Sequence, residues 1–292
     1  MSPSTKGLFC ALVAYFLWGV LPVYWKALRS VPATQILGHR MVWSFVFLGG
    51  LILWRREWKP LRASVGNPRT IALYLLAAIL LSLNWFIYIW AVNSGRIVET
   101  SLGYFINPLL SILLGLVVLR ERLGRLQWVA VGFAVAGVAS LSIQYGGLPW
   151  LALALAFTFG LYGLMKKQAP LGALHGLMLE TGILLVPAVI YLVHEEMAGR
   201  GALGSGSIWT RLLLLAAGVI TAFPLLLFAY AARAISLSTL GILQYLSPTC
   251  GLLIGVFVYD EAFPSSKLIG FGLIWAGLLV YWLDLVMRYR KR

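Results

Sequence analysis

Long stretches of this 292-residue chain carry no charged side chain, and they constrain its fold more than any other feature. Residues 70–95 and 234–259 are 26-residue runs without Asp, Glu, Lys or Arg, and residues 126–165 form a 40-residue run. A helix needs about 20 apolar residues to cross a bilayer core about 30 Å thick. Charged residues make up 11% of the chain, against about 25% in soluble domains. The sequence therefore predicts an all-α integral membrane protein.

Ten transmembrane helices account for the apolar stretches and leave short loops between them. The predicted spans are 6–28, 34–54, 71–94, 100–119, 124–143, 148–165, 172–192, 209–231, 236–258 and 266–286. With the N-terminus inside, the inner segments hold 16 Lys and Arg residues and the outer segments hold 6. Positive residues concentrate on the cytoplasmic side, so both termini are expected in the cytoplasm. The net charge of +14 falls between apolar runs, which favours a lipid bilayer over nucleic acid as the partner.

An internal repeat relates the two halves of the chain. A shift of 140 residues superposes Pro108 on Pro248, Gly115 on Gly255, Glu121 on Glu261, Gly132 on Gly272 and Gly137 on Gly277. We assign the first repeat to residues 1–145 and the second to residues 146–292. Each repeat holds five helices, an odd number, so the second must be inverted relative to the first. Inverted repeats with a site between them are a transporter design, because exchanging their conformations exposes the site to each side in turn.

Several motifs resemble those of one membrane-protein family. They are Ala14-Tyr-Phe-Leu-Trp-Gly-Val-Leu-Pro22, His39-Arg-Met-Val-Trp-Ser-Phe45, Ser101-Leu-Gly-Tyr-Phe-Ile-Asn-Pro108 and, in the second half, Ser238-Thr-Leu-Gly-Ile-Leu-Gln-Tyr245 followed by Ser247-Pro248. Together they resemble the RarD group of the EamA branch of the drug/metabolite transporter superfamily. The resemblance implies a ten-helix bundle in the inner membrane that exports small metabolites or drugs. It names no particular substrate.

Arg40 and Glu180 are the charges placed deepest within predicted spans, and the 140-residue shift makes them equivalent. A charge at a helix centre costs about 2.5–3.5 kcal/mol on insertion scales, so such residues usually face a cavity or a partner. We expect the two either to bind substrate or a proton, or to form a buried ion pair. His39 points about 100° away from Arg40 and is a candidate pH-sensitive group. With Lys26, these charges suit a zwitterionic or weakly anionic, partly apolar substrate.

Aromatic side chains in the first span are further candidates for substrate binding. Tyr15, Trp18 and Pro22 share one helix face, and Lys26 ends the helix. An aromatic stripe at this spacing is usually packing, but in a transporter it can also stack on a flat substrate. Pro22 breaks the hydrogen-bond ladder and is expected to bend the helix.

Amides and prolines in later spans complete the candidate site. Asn84 and Asn107 are costly in lipid unless they pair within the bundle or with substrate. Pro108 and Pro248 occupy equivalent places and are expected to bend their helices and to free carbonyls one turn earlier. The other substrate-binding candidates are Trp85, Tyr88, Tyr104, Gln244, Tyr245 and Ser247.

A secondary transporter working by alternating access is the function that these features favour, and proton coupling is open. The chain has no Walker A sequence and no HExxH or GxSxG motif, and its three histidines are scattered, so we expect no enzyme activity, no cofactor and no metal site. A passive facilitator or channel stays open as the alternative, and a membrane-embedded enzyme is less favoured. The segments Gly132-x-x-x-Ala136 and Gly272-x-x-x-Ala276 are small-residue faces that could pack the bundle or join two copies, so a monomer and a homodimer are both open.

Overall fold

The computed structural model describes residues 2–93, 97–143, 149–259 and 266–290, and every regular element in these ranges is a helix. The thirteen helices in these ranges are α1 (Pro3–Ala27), α2 (Ala33–Arg55), α3 (Trp58–Val65), α4 (Pro68–Asn93), α5 (Ile97–Val117), α6 (Arg125–Ile143), α7 (Trp150–Gln168), α8 (Ala173–Met197), α9 (Ala202–Ser205), α10 (Ile208–Ala234), α11 (Leu237–Gln244), α12 (Leu246–Tyr259) and α13 (Ser266–Arg290). Each of the ten predicted spans falls on a helix, except that the ninth falls on both α11 and α12.

Eight segments in the described ranges are long and apolar enough to cross a membrane. They lie in α1, α2, α4, α6, α8, α10 and α13, with α11 and α12 together forming one. A ninth, α5, contains a shorter apolar helix over Leu102–Val117. The nineteen-residue α7 is not among the eight, since Lys166 and Lys167 in its last turn lower its mean hydropathy. A multi-pass helical membrane protein is thus confirmed, and the number of ten crossings stays a prediction.

Helices from one half of the chain pack mainly against helices from the other half. The most extensive pairs are α1 with α10 and α12, α2 with α8 and α10, α4 with α7, α5 with α7 and α11, and α6 with α13. Under the repeat, the counterparts of α1, α2, α4, α5 and α6 are α7, α8, α10, the pair α11–α12, and α13. When each helix is replaced by its counterpart, the contact α1–α10 becomes α7–α4, and the contact α5–α7 becomes α12–α1. The pairs α2–α8 and α6–α13 become themselves. The packing therefore has the pattern expected of a two-fold relation between the halves.

Close contact between α6 and α13 depends on glycines. A Cβ on Gly137 would lie 2.7 Å from the carbonyl oxygen of Gly270, and one on Gly277 would lie 2.8 Å from that of Ala130. Gly132 and Gly272 would meet nothing within 4 Å among the described residues. Gly132 on α6 and Gly272 on α13 therefore lie outside the contact between these two helices. The use of their small-residue faces between two copies stays a prediction.

The equivalent prolines have different effects on their helices. Helix α5 continues through Pro108, and α1 continues through Pro22. The chain around Pro248 is instead divided into α11 and α12, with Tyr245 between them donating its N–H to the carbonyl of Ile242. The expected bends at Pro22, Pro108 and Pro248 stay predictions. Proline lacks only one donor, and whether the ladder opens depends on the packing around it.

We expect Pro248→Ala to slow transport more than Pro108→Ala does. Alanine restores the missing N–H and favours fusion of α11 with α12, whereas α5 is already continuous. One backbone hydrogen bond is worth about 1 kcal/mol net, so a step that needs the break should slow about fivefold. Initial rates in proteoliposomes, normalised to inserted protein, measure the effect. Equal rates for the two variants would make the break at Pro248 irrelevant to transport.

Candidate functional site

The Arg40 guanidinium lies close to two indole rings, and its neighbours come from α1, α4 and α10. Its Cζ atom is 4.7 Å from the ring centroid of Trp25 and 4.1 Å from that of Trp85. Its Nε donates a hydrogen bond of 2.9 Å to Oγ1 of Thr221. Arginine suits this position because its planar, weakly hydrated cation can stack on aromatic rings while still donating from its edge.

Three tyrosines lie near the Arg40 guanidinium. Tyr24, Tyr88 and Tyr104 are close enough to interact with it electrostatically. The Tyr88 and Tyr104 rings meet edge to face at 6.0 Å, and these side chains are 37% and 46% exposed. Among the described residues, no carboxylate lies within 4.0 Å of the guanidinium. Arg40 is therefore a half-buried cation among polar aromatic groups, with no acidic partner in this part of the chain.

Glu180 is held by a different cation from the one predicted. Its Oε1 accepts a bond of 2.7 Å from Nζ of Lys166, and its Oε2 accepts one of 3.1 Å from the hydroxyl of Tyr162. Lys166 and Glu180 are 2% and 1% exposed. A direct pair of Arg40 with Glu180, one of the two expectations, is thus wrong. The reason is geometric: the long side chain of Lys166, in the last turn of α7, reaches Glu180 on the following helix α8, whereas Arg40 is engaged by Thr221 and two indoles.

A small cavity lies between these two charged groups. Trp85 and Thr221, which contact Arg40, share its wall with Glu180. Its volume of about 10 Å³ leaves room for about one water molecule. The lining includes four pairs related by the 140-residue shift: Met41 with Thr181, Ser44 with Leu184, Leu81 with Thr221, and Trp85 with Leu225. The cavity therefore lies where the two halves meet and are related by the repeat.

Tyr15 and Trp18 are packed in an aromatic core away from Arg40. Their rings are 5.7 Å apart, and Trp18 also contacts Phe159 at 5.7 Å and Phe228 at 5.4 Å. Tyr15 is fully buried. These are contacts between α1, α7 and α10, as expected of packing side chains. Their role in substrate binding stays a prediction.

Several predicted polar residues join helices together. The amide of Asn84 donates to the carbonyl of Leu155 at 2.8 Å and to Oγ1 of Thr158 at 2.9 Å, linking α4 to α7. The hydroxyl of Tyr245 donates to the carbonyl of Phe105 at 3.1 Å, linking the second half to the first. These bonds satisfy amide and hydroxyl groups that would otherwise be costly in lipid.

The remaining predicted residues lie apart from Arg40. Lys26 is exposed and lies 3.2 Å from the ring centroid of Tyr259. His39 is buried and interacts electrostatically with Glu196, and its role as a pH-sensitive group stays a prediction. The oxygen of the buried Asn107 amide has no hydrogen-bond partner among the described residues. Gln244 is buried and Ser247 is half-buried, on either side of the break between α11 and α12.

Glu121 connects the two halves at the N-terminus of α11. Its carboxylate accepts from the backbone N–H of Leu237 at 2.7 Å, and from the N–H and hydroxyl of Ser238 at 2.9 and 2.6 Å. A helix N-terminus favours a negative group because its first N–H groups lack partners within the helix. The repeat singled out Glu121 without predicting this contact, and its counterpart Glu261 lies outside the described residues.

Lys166 and Thr221 are the other residues that sequence reasoning missed. Lys166 was assigned to a basic cytoplasmic segment with Lys167, because two adjacent lysines at a helix end usually face water. A signal for its role was present: a shift of 141 residues aligns Trp25 on α1 with Lys166 on α7, and the shift of 140 aligns Arg40 and Glu180 on the helices that follow, α2 and α8. The contacts Trp25–Arg40 and Lys166–Glu180 are therefore equivalent in the two halves.

Comparisons with known proteins relate the chain to one family over nearly its whole length. The sequence profile described as the EamA-like transporter family matches twice, at residues 5–143 and 148–283. The "Uncharacterized transporter YojE" of Bacillus subtilis is 50% identical over 282 residues, covering 95% of this chain and 94% of that protein. The "Protein RarD" of Escherichia coli is 41% identical over 288 residues, covering 99% of this chain and 97% of that protein.

The fold is similar to that of solved structures, among them one crystal structure of a protein. It superposes with a TM-score of 0.67 at 19% sequence identity, covering 94% of this chain and 96% of that one. At this identity the likeness concerns the fold alone.

Proposed function

The chain belongs to the EamA-like transporter family and is of its RarD type, and we propose that it moves small metabolites or drug-like compounds across the membrane by alternating access. The observation that carries this proposal is the double family match together with the packing of one matched half against the other. We further propose export across the inner membrane, with both termini in the cytoplasm. The asymmetry of 16 inner to 6 outer basic residues supports this orientation.

Ten helices in two inverted repeats, residues 1–145 and 146–292, are the architecture that we propose for this movement. The boundary between the two profile matches, at residues 143–148, agrees with this division. The exchange of helix pairs under the repeat, from α1–α10 to α7–α4, also supports it. In such an arrangement each half can adopt the conformation of the other, which moves the opening from one side to the other.

In this proposal, the groups around Arg40 and around Glu180, which lie on either side of the central cavity, have different roles: one binds substrate and the other couples transport to protons. Arg40 with Trp85 and Thr221 binds substrate, and Glu180 carries the proton. Glu180 suits this role because it is buried, shares the cavity wall with Thr221 and pairs with a lysine that can retain the positive charge when the carboxylate is protonated. Intramembrane carboxylates of this kind commonly serve proton relays.

Uptake of labelled metabolites into proteoliposomes tests the proposal. The vesicles are incubated with a uniformly ¹³C-labelled bacterial metabolite extract, with and without an imposed pH gradient, and their contents are read by mass spectrometry. We expect at least one compound to accumulate above its external concentration only when protein and gradient are both present. Glu180→Gln should abolish accumulation and retain exchange. Faster equilibration without accumulation would indicate a passive facilitator, and vesicle contents equal to those of protein-free vesicles would contradict transport.

A further inference from the structure

We propose that the outer edge of the Arg40 guanidinium binds the anionic group of the transported compound, so that the substrates are small organic anions bearing a flat ring. This inference rests on the proposed transport function and specifies its substrate class. The anionic group is a carboxylate or a phosphate, because both present paired oxygens that match the arginine fork.

The contacts of Arg40 leave one edge of the guanidinium for a ligand. Its Cζ atom lies 4.7 Å from the ring centroid of Trp25 and 4.1 Å from that of Trp85, and Nε donates to Thr221. Among the described residues the two terminal nitrogens make no hydrogen bond, so they form the remaining fork. Fixing the cation by stacking also reduces the entropy lost when a ligand binds, since the planar group is already oriented.

The buried charge in the second half has an oppositely charged partner, and the equivalent charge in the first half has none among the described residues. At the equivalent position, Glu180 pairs with Lys166 at 2.7 Å. Where the second half places a lysine opposite its charged residue, the first half places the indole of Trp25. Arg40 thus has an aromatic neighbour and no carboxylate within 4.0 Å among the described residues. A charge within a membrane span is favoured by an opposite charge, which a substrate anion supplies.

The surroundings of the fork suit the rest of such a substrate. Tyr88 and Tyr104 are 37% and 46% exposed although they lie beside a guanidinium deep in the bundle, so they present ring surface to a ligand. Offset or edge-to-face contact with an aromatic ring stabilises a complex beyond the apolar area that it buries. A ring carrying an anionic group can therefore contact the tyrosines and the guanidinium together.

Equilibrium binding to the purified protein in nanodiscs tests the proposal. The probes are benzoate, phenylacetate and phenyl phosphate, each compared with its uncharged amide or alcohol. A charge-assisted hydrogen-bond pair is worth about a ten- to hundredfold difference in affinity, so the anions should bind at least about tenfold more tightly than the neutral compounds. Arg40→Met should remove this preference. Arg40→Lys, which keeps the charge and loses the fork, should retain part of it and guards against a loss due to misfolding.

Controls separate the substrate from other anions and from a general charge effect. Arg29→Met removes an exposed arginine just after α1 and should leave the preference unchanged. The nanodiscs contain phosphatidylcholine alone, and a second set includes phosphatidylglycerol. Displacement of the probes by the anionic lipid would show that a headgroup occupies Arg40 and would overturn the inference.

Two further results would overturn the inference: equal affinity of anions and neutral compounds, or an unchanged preference in Arg40→Met. If the labelled-extract experiment still shows accumulation in either case, transport stands and only the substrate class is wrong. If the anions bind through Arg40 but no compound enters proteoliposomes, the site stands and transport is wrong.

Discussion

Replacing Lys166 by methionine is expected to lower the free energy of unfolding by about 3–5 kcal/mol, because it leaves the buried Glu180 carboxylate without its cation. Both side chains are nearly inaccessible, and only the Tyr162 hydroxyl, at 3.1 Å, would still donate to the carboxylate among the described residues. Unfolding of the purified protein by titration with sodium dodecyl sulfate in mixed micelles measures the change.

The neighbouring lysine provides a matched control for this prediction. Lys167 donates to the carbonyls of Ala232 and Ile235, at 3.2 and 2.5 Å, and is half-buried. Lys167→Met should cost only about 1 kcal/mol, since the freed carbonyls end a helix and can accept from water. Equal losses in the two variants would contradict a dominant Lys166–Glu180 pair.

The double variant Lys166→Met with Glu180→Met separates a structural pair from a functional one. Removing both charges should restore most of the stability, because replacing a buried pair by apolar side chains of similar volume is often neutral or stabilising. If Glu180 carries the proton, the double variant stays unable to accumulate substrate. Recovery of both stability and accumulation would make the pair purely structural.

Replacing Gly218 by leucine is expected to prevent normal packing of α2 against α10 and to lower stability by at least about 3 kcal/mol. A Cβ at this position would lie 2.2 Å from the carbonyl carbon of Trp43 and 2.5 Å from its carbonyl oxygen. These are backbone atoms, which cannot rotate away as a side chain can. The carbonyl of Gly218 also accepts from the hydroxyl of Ser44 at 3.0 Å, so displacing α10 breaks this bond too. Thermal unfolding and the yield of monodisperse protein report the effect.

Gly132→Leu is the matched control for the Gly218 variant, since a Cβ there meets nothing within 4 Å among the described residues. It should fold with wild-type stability, and it also tests the small-residue face. A shift of a dimer to a monomer in this variant would indicate that Gly132 joins two copies. A stable Gly218→Leu protein would contradict the close approach of α2 and α10.

Uncharged apolar runs were sufficient to predict most of the helices, because a bilayer restricts the chain to apolar helices of defined length. Nine of the ten predicted spans each fall on one helix, and the ninth falls on two. The division of the ninth span at Tyr245 could not be foreseen from Pro248 alone, since Pro108 stands in an equivalent motif within a continuous helix. Whether the helix is divided near the proline depends on how neighbouring helices pack against it, and the sequence of a single helix does not show this packing.

The sequence selected the two charges within spans, but it did not predict which residues contact them. Arg40 and Glu180 were selected because charges within spans are costly, and both are engaged deep in the bundle. Their partners depend on which helices adjoin, and Lys166 was hidden by its position beside Lys167 at a helix end. The spacing of Tyr15 and Trp18 on one helix face fits either packing or a binding surface, and the sequence alone does not show their contacts with Phe228.

A reversible crosslink between Glu121→Cys and Ser238→Cys tests alternating access most directly. These residues join the first half to the N-terminus of α11, with the carboxylate and hydroxyl oxygens 2.6 Å apart, and the two halves must separate there for the site to open on that side. Replacing native Cys10 and Cys250 by serine and alanine leaves the introduced pair as the only thiols, and each single cysteine is the control. With a reducible methanethiosulfonate crosslinker, accumulation of the labelled compounds should be lost in the pair and return on reduction. Transport by the crosslinked pair at the rate of the reduced protein would contradict the account.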